Sequence, residues 1–452
     1  MKKLLCFMAI IFCVINSGYA YSPYDTVTND LRKAYVDSVD FLFTDVLGSL
    51  RSVTVPTPEV ANALKRGMDF DGSSIPGYSS IYESDMHLKP DMRTFQIIEN
   101  KAHVMCDVYS SSYEPYSGDP RCLLKKQLAR AQELGYEFYV GPELEFFLLD
   151  GQKNEPIDTN RYFNASDNIF LDDQKRNLLN ALVRNNINVE KLHHEVAAGQ
   201  YEISVHYNDA LTVADQIVRA KQTIKLHADA SGLRALFMPK PFFGMNGSGM
   251  HVHFSLYDTV NKKNSFYDNN DDSCLSKTAR HFIAGVLKHM PMMSAICNPT
   301  INSYKRLVAG YEAPVYICWA KKNRSALIRI PHIDKKESSA ARAELRSPDA
   351  MSNPYTLFAL LLAAGLQGIE DELELTDPIE HNLYKFSTDQ IKALGITTLP
   401  SSLEDALVCL AESDFARHAL GEQFIREFVD LKRKEVEFFN RSVTDWEWHA
   451  YA

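Results

Sequence analysis

Gly141-Pro-Glu-Leu-Glu-Phe-Phe-Leu-Leu149 decides how the chain is read: an apolar strand, running from Tyr136, is interrupted by two carboxylates. Residues i and i+2 of a strand share a face, so Glu143 and Glu145 point one way and Leu144 the other. Two like charges side by side on a half-buried strand are costly without a cation or a shared proton. A solvated edge strand is the plainer alternative. Just upstream, Leu124, Leu128 and Ala131 lie near helical spacing and Gly135 ends the pattern, which predicts a helix from about Arg121. Turn residues crowd Tyr113 to Pro120 ahead of it and mark a domain boundary. Further upstream, Val39 to Val55 alternates around Asp45-Val-Leu-Gly48 and predicts two strands joined by a turn. Gly67 to Asp91 is rich in Gly, Ser, Asp and Pro and reads as a long structured loop. Downstream, predicted strands (202–205, 251–257, 327–330) mix with predicted helices (174–185, 214–231, 277–289, 354–372), an α+β order rather than regular βαβ winding.

The 452 residues leave room for one to three domains and a large core. With 45% hydrophobic and 23% charged residues, the composition excludes fibrous and disordered classes. The balance of 48 Lys+Arg against 58 Asp+Glu gives a net charge of -10, which argues against a sequence-independent nucleic-acid binder. The 8 cysteines form no CxxC pair and are too sparse for a disulfide framework. At the N-terminus, Lys2 and Lys3 precede an apolar run from Leu4 to Ile15, and small residues lead to Ala20, so residues 1–20 form a signal-like leader. Past it, no apolar stretch approaches the ~20 residues that span a bilayer.

Three further segments place chemistry where packing alone would not. In His193-His-Glu-Val-Ala-Ala-Gly-Gln-Tyr-Glu202, Glu195 and Glu202 flank a Gly-Gln turn, a surface loop unless they converge. Asn246-Gly-Ser-Gly-Met-His-Val-His-Phe-Ser255 leads a flexible turn into a strand with His251, His253 and Ser255 on one face. Arginines recur in Asn302-Ser-Tyr-Lys-Arg306, Asn323-Arg-Ser-Ala-Leu-Ile-Arg329 and Arg342-Ala-Glu-Leu-Arg346, where alternation puts Arg342, Glu344 and Arg346 on one strand face. Such guanidinium groups suit bidentate capture of carboxylate or phosphate; a salt-bridge network explains one such strand but strains to explain three. Oxygen and imidazole donors without thiolates suit Mg²⁺ or Mn²⁺ better than zinc. Divalent metal with an arginine array points to phosphoryl chemistry, and no GxxxxGK[ST] loop is present.

Taken in order, FTDVLG, FDGSSI, GPELEFFL, HHEVAAGQYEI, MPKPFFGMNGSGMH, NSYKRLVAGYEAPV, NRSALIRIP and ELRSPD make the chain resemble type I glutamine synthetase from about residue 28 to the C-terminus. The resemblance implies a small β-grasp domain over 28–115, a catalytic domain over 120–452, and a dodecamer of two stacked hexamers with active sites between neighbouring subunits. It implies one divalent metal on Glu145, Glu195 and Glu202 and a second on Glu143, His251 and Glu344. Asn246, Gly247, Arg306 and Arg346 would hold glutamate, and His253, Ser255 and Arg342 would lie at ATP. Arg324, Arg329 and Arg346 would neutralise the transferred phosphoryl group. Asp45 of the adjacent subunit would bind ammonium, with Glu312 on a flap closing the site. Met245, before NGSG, matches the short, non-adenylylated subtype, whereas Ala309 and Ser79-Ser80 depart from the family's flap and feedback patterns. Tyr384 reads as structural. A ligase that consumes ATP belongs in the cytoplasm, against the leader's pattern. Two other readings remain: a γ-glutamyl-amine ligase, against which Asp45 and Asp71 favour ammonium, and a non-catalytic ring scaffold, which would be expected to lose metal ligands.

Overall fold

A computed structural model describes residues 23–78, 84–165, 168–271, 273–308 and 313–452. Six strands, β1 (Ser38–Thr44), β2 (Leu50–Pro56), β3 (Met68–Asp71), β4 (Asp85–Pro90), β5 (Gln96–Ile98) and β6 (Lys101–Tyr109), form one sheet in the order β2-β1-β6-β4-β3, with β5 on β6. Pairing of β1 with β6 is parallel, from Val39 against Ala102 to Leu42 against Met105. The segment 67–91 is therefore not one long loop: Met86, His87 and Leu88 are buried in β4, and apolar burial there outweighs the turn-rich composition around it.

The second sheet has eleven strands: β7 (Tyr136–Asp150), β8 (Val189–His194), β9 (Gln200–Val205), β10 (Asn208–Asp209), β11 (Leu233–Leu236), β12 (Met250–Asp258), β13 (Lys263–Asn264), β14 (Tyr316–Ala320), β15 (Ala326–Arg329), β16 (Ala343–Leu345) and β17 (Thr397–Thr398). Their order is β17-β14-β15-β16-β12-β7-β9-β8, with β10 and β11 on β7 and β13 on β12. Alternation is plainest in β12, where Met250, Val252, Phe254 and Leu256 are buried and the intervening residues are partly open. On the apolar face, Phe282 of the helix Lys277–Cys297 lies 5.4 Å from Phe254 and 6.1 Å from Phe138 between ring centroids. That helix and the helix Pro354–Glu370 approach backbone to backbone at Gly285 and Gly368: a Cβ on Gly368 would lie 2.1 Å from the His281 carbonyl oxygen. With the helices covering one face, the polar residues of β7 and β12 have only the other face to occupy.

By contact density the chain divides into two compact units. One comprises residues up to Leu42 with Ser52–Met68 and Lys89–Cys106; the other comprises Phe43–Arg51, Asp69–Leu88 and Asp107–Ala452. The second unit holds the large sheet and everything that lines the site below. Among the described residues no helix is long and apolar enough to cross a membrane. The leader, residues 1–20, lies outside the described residues, as do Ser79, Ser80, Ala309 and Glu312.

Candidate active site

Strand register assembles the site. On β7, Glu143 stands opposite Ser204 of β9 and His251 of β12, while Glu145 stands opposite Glu202. On the edge strand β8, Lys191 stands opposite Ser204 and His193 opposite Glu202. Cross-strand partners share a face with Cβ atoms about 4.5–5.5 Å apart. One row therefore reads Lys191, Ser204, Glu143, His251, and the next reads His193, Glu202, Glu145. A third row joins His253 of β12 to Glu344 of β16 and Arg329 of β15. The two glutamates that interrupt an apolar strand thus belong to a polar face spanning several strands, rather than to an exposed edge.

Over this face lies a cavity of about 370 Å³. Its walls include all the glutamates of the three rows, with Glu195, His251, Asn246, Gly247, Arg306, Arg324, Arg329 and Arg346. A second cavity of about 320 Å³ contains His253, Ser255 and Arg342, bordered by Tyr139 and Tyr207. Arg342 and Arg346, predicted on one face, thus line different cavities, because β16 is regular only over Ala343–Leu345.

The hydrogen bonds separate two donor clusters. Glu143 Oε2 lies 3.2 Å from His251 Nδ1, and Glu143 Oε1 lies 3.3 Å from His253 Nε2. Arg329 and Arg346 each donate to Glu344 at 2.7 Å. Donor atoms of Glu143, His253 and Glu344 lie within 4.8 Å of one another, and so do those of His193, Glu195 and Glu202. Both groups differ from the ligand sets that the resemblance implies. His251 stays beside the first cluster, 3.6 Å from Glu344. The Glu145 carboxylate instead accepts from Gly249 N at 2.8 Å and Gln200 Nε2 at 3.1 Å. A Cβ at Gly249 would lie 2.5 Å from the Arg306 guanidinium, so glycine here leaves room for that group.

Electrostatics follow from burial and neighbours. Burial raises the Glu202 carboxyl to about 9, helped by Glu143, Glu145 and Glu195. Burial likewise raises Glu145. Burial also opposes ionisation of Glu143, but hydrogen bonds from His251 and His253 outweigh it and hold this group well below the usual carboxylate range. At Glu344 burial is overcome by Arg346, then His253 and His251, which bring the carboxyl down to about 2. One cluster is thus charge-balanced by imidazole and guanidinium, and the other is a set of carboxylates repelling one another. Among the described residues His193 Nδ1 is buried without a hydrogen-bond partner, 4.0 Å from the Glu202 carboxylate. Repelling carboxylates, an orphaned imidazole nitrogen and the absence of thiolate fit a hard divalent cation.

Asp158, which the sequence did not single out, fixes the turn between Glu195 and Glu202. It is bonded to His194 Nε2, Gly199 N and the Tyr201 hydroxyl, each at 2.9 Å. Its only sequence signal is an ordinary loop aspartate, whose role depends on contacts about 40 residues away in the chain. Asp45 does not line either cavity of its own chain: it is buried, accepting from Leu47 N at 3.0 Å, Ser49 N at 2.9 Å and Arg51 at 2.7 Å. Asp71 is likewise outside both cavities and caps the turn Gly72–Ser74 through Ser73 N. Tyr384 donates from its hydroxyl to the Ala313 carbonyl oxygen at 3.3 Å.

Family models place these features. The glutamine synthetase catalytic domain matches residues 117–451, and the glutamine synthetase β-grasp domain matches residues 35–111. The chain belongs to the glutamine synthetase family. Glutamine synthetase of Thermotoga maritima is 43% identical over 439 residues, covering 94% of this chain and 99% of that protein. The enzyme of Methanocaldococcus jannaschii is 43% identical over 444 residues, covering 93% and 96%. Among solved structures, the cryo-electron-microscopy glutamine synthetase of Plasmodium falciparum superposes with a TM-score of 0.85 at 27% identity, over 97% of this chain and 100% of that one. An ADP complex of GmaS gives 0.85 at 30% identity, over 94% and 98%. The α+β fold, a β-grasp domain followed by a glutamine synthetase catalytic domain, is that of the family.

Proposed function

We propose that this chain is a glutamate–ammonia ligase, forming L-glutamine from L-glutamate, ammonium and ATP through γ-glutamyl phosphate. The observation that carries the reading is the polar sheet face itself: carboxylates and imidazoles floor a cavity walled by arginines, and this cavity adjoins a second one lined by aromatic residues. Glutamate occupies the first cavity against Asn246, Gly247, Arg306 and Arg346, and ATP the second against His253, Ser255 and Arg342. Bound at the two donor clusters, with Glu145 and His251 beside them, Mg²⁺ or Mn²⁺ would screen phosphate charge and orient the triphosphate.

A γ-carboxylate oxygen of glutamate forms a bond to the γ-phosphorus of ATP, and the bond to the ADP oxygen breaks with its electron pair leaving on ADP. Arg324, Arg329 and Arg346 neutralise charge on the transferred group. Arg329 and Arg346 are suited to this because each is anchored to Glu344 through one nitrogen and keeps further donors. Ammonium loses a proton to a carboxylate, Asp45 of the adjacent subunit, and the nitrogen lone pair attacks the acyl carbon. Phosphate leaves with the C–O electron pair, giving glutamine after a further proton is lost. By the family resemblance, Glu312 keeps water from the acyl phosphate.

This reading requires a ring in which Asp45 reaches a neighbour's cavity, and we assign a dodecamer of two stacked hexamers located in the cytosol, where ATP and glutamate are available. The test is ATP-dependent product formation by the purified chain with ammonium or with putrescine. Glutamine and stoichiometric ADP with ammonium are expected; a γ-glutamyl product with putrescine alone would replace the ligase reading by an amine-ligase one.

A further inference from the structure

We propose that Lys191 binds the nucleotide's terminal phosphates at the seam between the two cavities, an inference that rests on the ATP-dependent ligase reading above. Among the described residues, only Glu143 and Lys191 line both the metal-side cavity and the nucleotide-side cavity. A triphosphate reaching from one to the other must pass this pair. Besides the divalent cation that the Glu143 cluster would hold, Lys191 is the one cationic side chain among the described residues that lines both cavities.

The backbone of β8 aims Lys191 at the seam. Val189 pairs with Val205 and Lys191 with Ser204, so β8 holds one residue more than its partner between these pairs. Successive residues of a regular strand face opposite ways, yet Glu190 and Lys191 both line the nucleotide-side cavity. A bulge reconciles the two facts by bending the strand and re-aiming a side chain. On the far side of the bulge Lys191 joins the row of Ser204 and Glu143. Its ammonium makes no hydrogen bond or ion pair with the described residues, although its charge is felt at Glu202. A long, flexible stem carrying a point charge suits a phosphate that moves during the reaction.

The test is titration of the full-length protein with ATP in Mg²⁺, by calorimetry, for the wild type, Lys191→Met and Lys191→Arg. Loss of one charge-assisted hydrogen bond weakens binding about tenfold or more. The expected result is a Kd for ATP about tenfold higher in Lys191→Met, a salt dependence shallower than that of the wild type, near-wild-type binding in Lys191→Arg, and an unchanged KM for glutamate. Lys191 is exposed, so thermal unfolding of Lys191→Met should match the wild type. Equal ATP affinity of wild type and Lys191→Met overturns the role of Lys191 alone. Failure of the wild type itself to bind ATP overturns the ligase reading and this inference with it.

Discussion

Glu344 is 1% exposed and is the shared anchor of Arg329 and Arg346, the latter itself buried. Removing one member of a buried, hydrogen-bonded charge set leaves an uncompensated partner, at about 3–5 kcal/mol. Glu344→Ala is therefore expected to lower the thermal midpoint of the metal-free protein as well as abolish turnover. Glu195→Ala should weaken metal binding with little change in midpoint, since among the described residues Glu195 pairs with His193 and no guanidinium. Equal midpoints for Glu344→Ala and wild type would contradict the anchoring role. At Glu202 the carboxyl rests at about 9 in the absence of metal, so below that pH a proton occupies the group that a cation must displace. Divalent-metal affinity should rise from pH 6 towards pH 9, and binding should release protons, read by calorimetry in buffers of different ionisation enthalpy. Affinity that is flat over this range would exclude proton displacement at Glu202.

Asp119 caps the helix Pro120–Glu133, accepting from Arg121 N and Val108 N at 3.1 Å each. Burial, then Asp107, pushes its carboxyl up to about 7, whereas in the unfolded chain it titrates near 3.9. Between those values the folded state holds the extra proton, so stability falls as pH rises through this window and is fully present below about 4. Asp119→Asn lacks the group; its urea midpoint relative to wild type should therefore improve between pH 5 and pH 8, and a constant difference would exclude the linkage. The same local physics governs what the sequence revealed of the elements. β7 and β12 were legible because Glu143, Glu145, His251 and His253 recur at period two against an apolar background. β8 was not, since its bulge spoils that period and its residues Val189 and Leu192 are only partly buried. β3 and β4 were hidden by Gly, Ser and Asp around a short buried core of Met86 and Leu88. His193 went unselected beside His194, because nothing in adjacent histidines tells which turns to the carboxylates and which to Asp158.

At the scale of the molecule, the chain separates one acidic residue of the proposed chemistry from the rest: Asp45 lies outside the cavity that Arg329 lines. If Asp45 serves a neighbour's cavity, inactive Asp45→Ala and Arg329→Ala chains should recover part of their activity on co-assembly, because some sites then combine intact halves. No recovery in verified mixed rings would place Asp45 outside the reaction. The segment that carries Asp45 is anchored within its own chain: the Tyr78 hydroxyl donates to the Thr44 carbonyl oxygen, Asn353 Nδ2 lies 3.4 Å from the Val46 carbonyl oxygen, and Gly48 packs against Asn353. With three donors already on its carboxylate, Asp45 has no conformational search left to perform when subunits meet. Reassembly after dissociation would then regain activity at the rate of subunit encounter, proportional to chain concentration, with no slower unimolecular phase following ring closure.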